Sequence, residues 1–143
     1  MSFLKRVMIQ EKVTTVDFPE LDGFKVDICF VSKEKQAKIR QQSLVVKYNK
    51  RSRTREEEVD SDKFLELYAE LVIKGWSGLT VRALSTLLPI ETAGLDPKED
   101  VPYSPEDALL LLKNSTIFDQ FITDTLNDFS KFEDEAKAVE VKN

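Results

Sequence analysis

The carboxylates between residues 56 and 62 are the side chains whose types and spacing come nearest to a chemical site. They are Glu56, Glu57, Glu58, Asp60 and Asp62. Acidic clusters can hold metal ions, but this spacing lacks the alternating oxygen ligands and central glycine of a calcium loop. These acids also precede a predicted helix, whose positive end favours negative side chains. We therefore predict no metal site here.

Catalytic chemistry finds little support in the residue types. The sequence has no histidine and a single cysteine, Cys29, so the commonest general base and metal ligand is missing. Cys29 falls on the wetter face of a predicted strand, with no histidine to activate it. The sequence also has no glycine-rich phosphate loop and no nucleophile elbow. We expect no catalytic residue, no cofactor and no enzymatic activity.

The composition favours an intracellular protein. One cysteine cannot form an internal disulfide, which suits a reducing compartment. No run of apolar residues is long enough to span a membrane, and residues 1–6 lack the apolar stretch of a secretory signal. We expect a cytoplasmic protein without a membrane partner.

Charge is distributed unevenly along the chain. Nine basic residues and one acidic residue lie between Lys33 and Arg55, so this segment carries +8 and the rest −13, within a net charge of −5. The segment is either a solvated face or a docking surface for an acidic partner. Nucleic acid is one such partner, but no recognition signature accompanies the charge. The candidate partner-binding residues in this segment are Lys47, Lys50, Arg51, Arg53 and Arg55.

The elements that would position these residues begin with a strand. Apolar and polar residues alternate from Phe24 to Phe30, which predicts a strand over about 24–31. A lone strand is not stable, and its candidate partners are residues 13–17 and 44–48.

Helical signals follow, with Ser32, Asp60 or Ser61, Thr80, Ser104 and Thr116 at the predicted helix starts. We predict helices over about 33–42, 61–74, 80–88, 104–113 and from 116 onward, with a charged loop over 49–59 and a tight turn over 76–79. The fold class is therefore α+β and predominantly helical, with a small N-terminal β element followed by four to five helices. Residues 1–132 form one domain, and residues 133–143 form a charged tail.

Three aromatic residues complete the set of candidate partner contacts. Trp76 is expected mainly to fill the core at a helix-to-helix turn, with direct partner contact as the alternative. Phe129 and Phe132 end an apolar stripe that starts at Phe118. Core packing explains most of this stripe, but a helix extending past the body would expose its last two rings as a binding ridge.

The order of these elements resembles the tail assembly chaperones of long-tailed bacteriophages over about residues 18–132. The matching pieces, in chain order, are Gly23-Phe24-Lys25-Val26, Ser32-Lys33-Glu34, Tyr48-Asn49-Lys50, Lys74-Gly75-Trp76-Ser77-Gly78-Leu79-Thr80, Val101-Pro102-Tyr103-Ser104-Pro105-Glu106-Asp107-Ala108 and Phe118-Asp119-Gln120-Phe121-Ile122. No single piece is chemically diagnostic, and the resemblance lies in their combination and order.

The resemblance implies a non-enzymatic protein of the infected host's cytoplasm. Such chaperones coat the tape measure protein, keep it soluble, help recruit tail tube subunits, and are generally absent from the finished virion. The implied partners are the tape measure protein and the tail tube protein, with a homo-oligomer possible. Two alternatives remain: a structural virion subunit, such as a tail or head–tail connector component, and a nucleic-acid-binding module that uses residues 33–55.

Overall fold

The computed structural model describes residue 3 and residues 12–128. This part of the chain holds five strands in two sheets and five helices. In chain order the elements are β1 (Val13–Asp17), β2 (Lys25–Cys29), α1 (Lys33–Gln42), β3 (Leu44–Asn49), β4 (Thr54–Val59), α2 (Ser61–Val72), β5 (Ile73–Ser77), α3 (Val81–Leu87), α4 (Pro105–Asn114) and α5 (116–128).

The larger sheet has three antiparallel strands in the order β1-β2-β5. The predicted strand is present as β2, and residues 13–17 pair with it from Val13 opposite Cys29 to Asp17 opposite Lys25. The other candidate partner, residues 44–48, lies in a different sheet. The register between β2 and β5 shifts between Asp27 and Ile28. Cys29 is buried, so the prediction that it faces the wetter side was wrong.

Side-chain caps set where the helices begin. The side chains of Ser32, Asp60, Thr80 and Ser104 each accept a backbone N–H from the first turn of α1, α2, α3 and α4 respectively. Ser115 Oγ does the same for Phe118 N at 3.2 Å, so α5 is capped by Ser115 and not by Thr116. These bonds satisfy backbone donors that have no partner inside a helix.

One apolar core holds the three-stranded sheet against the helices. Phe24, Val26 and Ile28 bring β2 into it. The helices contribute buried residues of α2, α4 and α5, which are Ala69, Val72, Ala108, Leu111, Leu112, Phe118, Ile122 and Leu126. Phe18, just after β1, packs against Phe121 in α5, and the centroids of the two rings are 4.8 Å apart. The burial of this cluster is the main stabilising contribution to the fold.

The predicted fold class, a predominantly helical α+β fold with one small N-terminal β element followed by four to five helices, was wrong. The described part of the chain is about 45% helical and 25% strand in two sheets, and after the first two strands the helices and strands are mixed along the chain. Residues 54–59, expected in a loop, form β4, and the predicted end of a helix at Gly75 is the middle of β5. Helix α2 instead ends at Val72, after which Ile73 is extended.

The backbones of Gly23 and Gly78 approach each other closely where β2 and β5 meet their loops. Gly78 has φ +74°, a left-handed conformation, and a Cβ built on it would collide with the carbonyl oxygen of Gly23. Only glycine fits here without strain, since it combines free φ with no side chain.

Candidate partner-binding site

Strands β3 and β4 form a separate two-stranded hairpin between α1 and α2. Their antiparallel register runs from Leu44 opposite Val59 to Asn49 opposite Thr54. Among the described strands, no third one joins this sheet, and beyond their own pairing the two strands make no extensive contact with another described element. The hairpin is tied to the body at its base, where Asp60 N donates to the Ser43 carbonyl oxygen at 2.8 Å.

One face of the hairpin pairs its own charges. Lys47 and Glu58 form an ion pair of 2.9 Å, and Asn49 Nδ2 donates to Glu56 Oε1 at 3.2 Å. The hydrogen bond to Glu58, and then its charge, raise the pKa of Lys47 above its ordinary value. Exposed pairs like these contribute little stability, but they hold the two strands in register.

The opposite face carries an apolar stripe that faces solvent. Because side chains alternate along a strand, Leu44, Val46 and Tyr48 share this face with Arg55 and Glu57 of β4. Their exposed fractions are 38% for Leu44, 62% for Val46 and 61% for Tyr48. We call these three residues the hairpin stripe. Several adjacent exposed apolar side chains on one surface are typical of a binding site.

The tip of the hairpin is cationic and ordered by one asparagine. Asn49 Oδ1 accepts from Arg51 N at 2.9 Å and from Ser52 N at 3.4 Å, the pattern of an Asx turn. Arg53 adopts φ +55°, a left-handed conformation that is uncommon for a residue with a side chain. Within residues 12–128, none of the cationic side chains of Lys50, Arg51, Arg53 and Arg55 forms an ion pair.

The structure therefore brings together five of the eight residues predicted to contact a partner. Lys47, Lys50, Arg51, Arg53 and Arg55 all lie on the hairpin. The sequence did not assign Leu44 and Val46 to the site, because residues 44–48 were considered only as a partner for the strand over 24–31. One sequence signal could have identified them, the charged run from Arg55 to Glu58. Unpaired charges are not buried in a sheet, so an apolar strand that pairs with this run is itself exposed.

Trp76 lies elsewhere, on β5. Its Nε1 donates to the Val101 carbonyl oxygen at 2.9 Å. Its ring meets Tyr103 edge-on with centroids 5.2 Å apart and Phe24 at 6.5 Å. These contacts give Trp76 a packing role between the sheet and the loop before α4. Phe129, Phe132 and the predicted tail over 133–143 lie outside the described residues.

A second surface feature is a groove of about 550 Å³ between the end of β1 and helix α5. Its floor is apolar, with Phe18, Ile117 and Phe121, and four carboxylates line it: Asp17, Glu20, Asp124 and Asp128. Within residues 12–128, no lysine or arginine lines it. Across the part of the chain that the structure describes, no group of three or more possible metal ligands is placed to hold an ion.

Comparison with known proteins connects the chain to bacteriophages. A family model described as YdaY prophage protein matches residues 30–143, most of the chain. The chain therefore belongs to the YdaY prophage protein family, and it is a phage-related protein. The matched residues contain the whole hairpin but neither β1 nor β2. No curated protein and no solved structure matches the chain.

None of the helices in residues 12–128 combines the length and the apolar character needed to cross a membrane.

Proposed function

We propose that this protein is a phage tail assembly chaperone. In this role it binds the tape measure protein, keeps it soluble in the host cytoplasm, and helps recruit tail tube subunits. It acts by reversible binding and makes or breaks no covalent bond. The observation that carries the proposal is the hairpin, whose apolar stripe and cationic tip face solvent together.

The energetics of the hairpin support a binding role. An isolated two-stranded hairpin is marginally stable in water, and exposed strand edges tend to pair with other chains. Val46 and Tyr48 contribute almost nothing to the core, since most of each side chain is exposed. Covering them on a client would remove apolar area from water, with a gain of roughly 25 cal/mol per Å².

The chemistry of the surface suits a long helical client. An amphipathic helix presents an apolar face that could lie along Val46 and Tyr48, and acidic residues beside that face would meet Arg51, Arg53 and Arg55. Membership of a prophage family supports a phage-associated role, and the resemblance to tail assembly chaperones over residues 18–132 supplies the tape measure protein as the client. The resemblance also supplies the tail tube protein as a second partner.

Co-expression with the tape measure protein tests the proposal. We expect the client to remain soluble and to co-purify with the wild-type chain. The double variant Val46→Ser/Tyr48→Ser should lose at least about tenfold in affinity, since it removes two central apolar contacts. The matched control is Leu95→Ser/Leu110→Ser, which replaces two apolar residues that are exposed elsewhere and should leave binding unchanged.

Two results would contradict the proposal: a tape measure protein that is equally soluble alone, or a hairpin variant that binds it as well as the wild type does. Stoichiometric recovery of the chain from purified particles would instead indicate a structural virion subunit. The four cations near the tip, which form no ion pair within residues 12–128, favour a nucleic-acid-binding alternative. Salt-dependent DNA binding that disappears when Arg51, Arg53 and Arg55 are neutralised would support it.

A further inference from the structure

The groove beside α5 has the two features of a docking site for a basic and aromatic segment. Its floor offers Phe121, which is half-buried, and Ile117, which is exposed, so apolar surface is available to a partner. Its volume of about 550 Å³ is within the range of roughly 300–1,000 Å³ typical of ligand pockets. It can therefore accept a few side chains, but not a whole secondary-structure element.

The carboxylates around this floor favour a partner that carries positive charge. Asp17, Glu20, Asp124 and Asp128 line the groove. Asp17 Oδ1 forms an ion pair of 4.0 Å with Lys25 Nζ, and Asp124 Oδ1 accepts a hydrogen bond from Gln120 Nε2 at 2.8 Å. Both contacts are exposed, so the rim keeps a negative potential. A segment that places cations beside an apolar or aromatic side chain would be complementary to it.

The hairpin of this same chain has that chemistry. Tyr48 stands next to the tip, where Arg51 and Arg53 lie, and it is directly opposite Arg55. The segment from Lys33 to Arg55 carries +8, whereas the rest of the chain carries −13. The two complementary surfaces belong to different elements, the hairpin between α1 and α2 and the groove beside α5.

We propose that the hairpin tip of one copy docks in the groove of a second copy. Tyr48 would cover the apolar floor, and Arg51 and Arg53 would meet the acidic rim. Because the hairpin and the groove are different patches, the contact is head-to-tail and leaves a free hairpin at one end and a free groove at the other. Such a contact extends into a chain of copies unless it closes into a ring. This inference does not depend on the identity of the client.

A reciprocal charge reversal tests the contact on the purified chain alone. Sedimentation velocity at low salt should show self-association of the wild type that rises with concentration and weakens as salt screens the charges. The hairpin variant Arg51→Glu/Arg53→Glu and the groove variant Glu20→Lys/Asp124→Lys should each associate at least about tenfold more weakly, because like charges then meet.

Mixing the two variants is the decisive step. In the mixture, the acidic tip of the hairpin variant can dock in the altered groove of the groove variant, which now carries two lysines. The unchanged basic tip of the groove variant can dock in the unchanged acidic groove of the hairpin variant. Association should return in the mixture. The control Glu91→Lys/Glu99→Lys makes the same charge change on an exposed loop and should associate like the wild type.

A wild-type chain that stays monomeric across the micromolar range would overturn the inference, and so would a mixture that fails to recover association. Binding of the tape measure protein separates this inference from the proposed function. The groove variant keeps its hairpin, so it should still bind that client. If it binds the client while the wild type never self-associates, the docking inference fails and the chaperone proposal stands.

Discussion

The two sheets of this protein use similar strands in opposite ways. In the three-stranded sheet, β2 places Val26 and Ile28 entirely inside the core, under helices α2, α4 and α5. In the hairpin, β3 has equally apolar residues, yet Val46 and Tyr48 face solvent. Sequence composition alone does not separate these strands, since both contain two β-branched residues, which favour strands.

The difference lies in what each strand is paired with. Strand β2 lies between two neighbours and beneath the helices, so its apolar side chains stabilise the fold. Among the described strands, β3 has one neighbour, β4, and the charged residues Arg55 to Glu58 place polar groups on both faces of the hairpin. The same residue types are therefore structural in one sheet and available to a partner in the other.

The prediction with the largest expected effect compares the change in the free energy of unfolding at two aromatic residues. Phe24 is 1% exposed and Tyr48 is 61% exposed. We expect Phe24→Ala to lower the free energy of unfolding by about 3–5 kcal/mol, because it leaves a cavity among packed rings. Tyr48→Ala should change it by no more than about 0.5 kcal/mol. Urea denaturation of both variants measures the difference.

If the hairpin binds a client as proposed, we expect the opposite order for the affinity: Tyr48→Ala should weaken binding more than Phe24→Ala, provided that the Phe24 variant remains folded. Near-equal losses of stability in the two variants would show that the hairpin packs against the body, and the contrast between the sheets would then be lost. If Phe24→Ala unfolds the chain entirely, Phe24→Leu supplies a milder version of the same comparison.

A second test concerns the backbone contact between Gly23 and Gly78. Gly78→Ala should lower the free energy of unfolding by about 3 kcal/mol, since it adds left-handed strain and a collision with the Gly23 carbonyl oxygen. Gly94 is the matched control, with φ +81° and no atom within 4 Å of a built Cβ. Gly94→Ala should therefore cost only about 1 kcal/mol, from the backbone strain alone.

Thermal denaturation of the two glycine variants separates the steric contribution from the conformational one. Equal losses would mean that the loops at the end of the sheet can move apart at little cost. A larger loss for Gly78→Ala would place this close backbone contact among the features that stabilise the three-stranded sheet.

The helices were predictable because their signals are local. Ser32, Thr80 and Ser104 cap helices as predicted, and Asp60 caps α2, for which Asp60 and Ser61 were both candidates. A cap requires only neighbouring residues. Strand β5 was not predictable in this way, since Ile73-Lys74-Gly75-Trp76 resembles the end of a helix until β2 supplies the partner that makes it a strand. Strand β4 is acidic and has low β-propensity, so only its pairing with β3 explains it.

The candidate site also contains some features that local sequence signals predict and others that depend on strand pairing. A run of basic residues can be read directly from a sequence, which is why Lys50, Arg51 and Arg53 were identified. The exposure of Val46 could not be read from its type, since valine is usually buried. It depends on the pairing of β3 with the charged strand β4, which the residue type of Val46 does not specify. The acidic groove also joins residues from β1 and α5, which are distant in sequence.

The smallest test uses pH to distinguish the buried body from the hairpin. Burial, and then the negative charge of Asp119, raise the pKa of Tyr68 on α2 to about 12. Between pH 10 and about 12 the folded chain therefore keeps this proton while the unfolded chain releases it, so Tyr68 makes stability fall as pH rises through that range. The loss should stay below about 1 kcal/mol, because solvent screens a partly exposed ring.

Urea midpoints at two alkaline pH values measure this contribution. Tyr68→Phe removes the titrating phenol, so its midpoint should fall less with pH than that of the wild type. Tyr48→Phe removes a phenol of the hairpin that is 61% exposed, and it is the matched control for the loss of a phenol. Tyr103, whose pKa burial also raises, is present in all three proteins, so its contribution cancels. An unchanged alkaline loss in Tyr68→Phe would mean that this phenol is as well solvated as the one on the hairpin, and that α2 does not shield it.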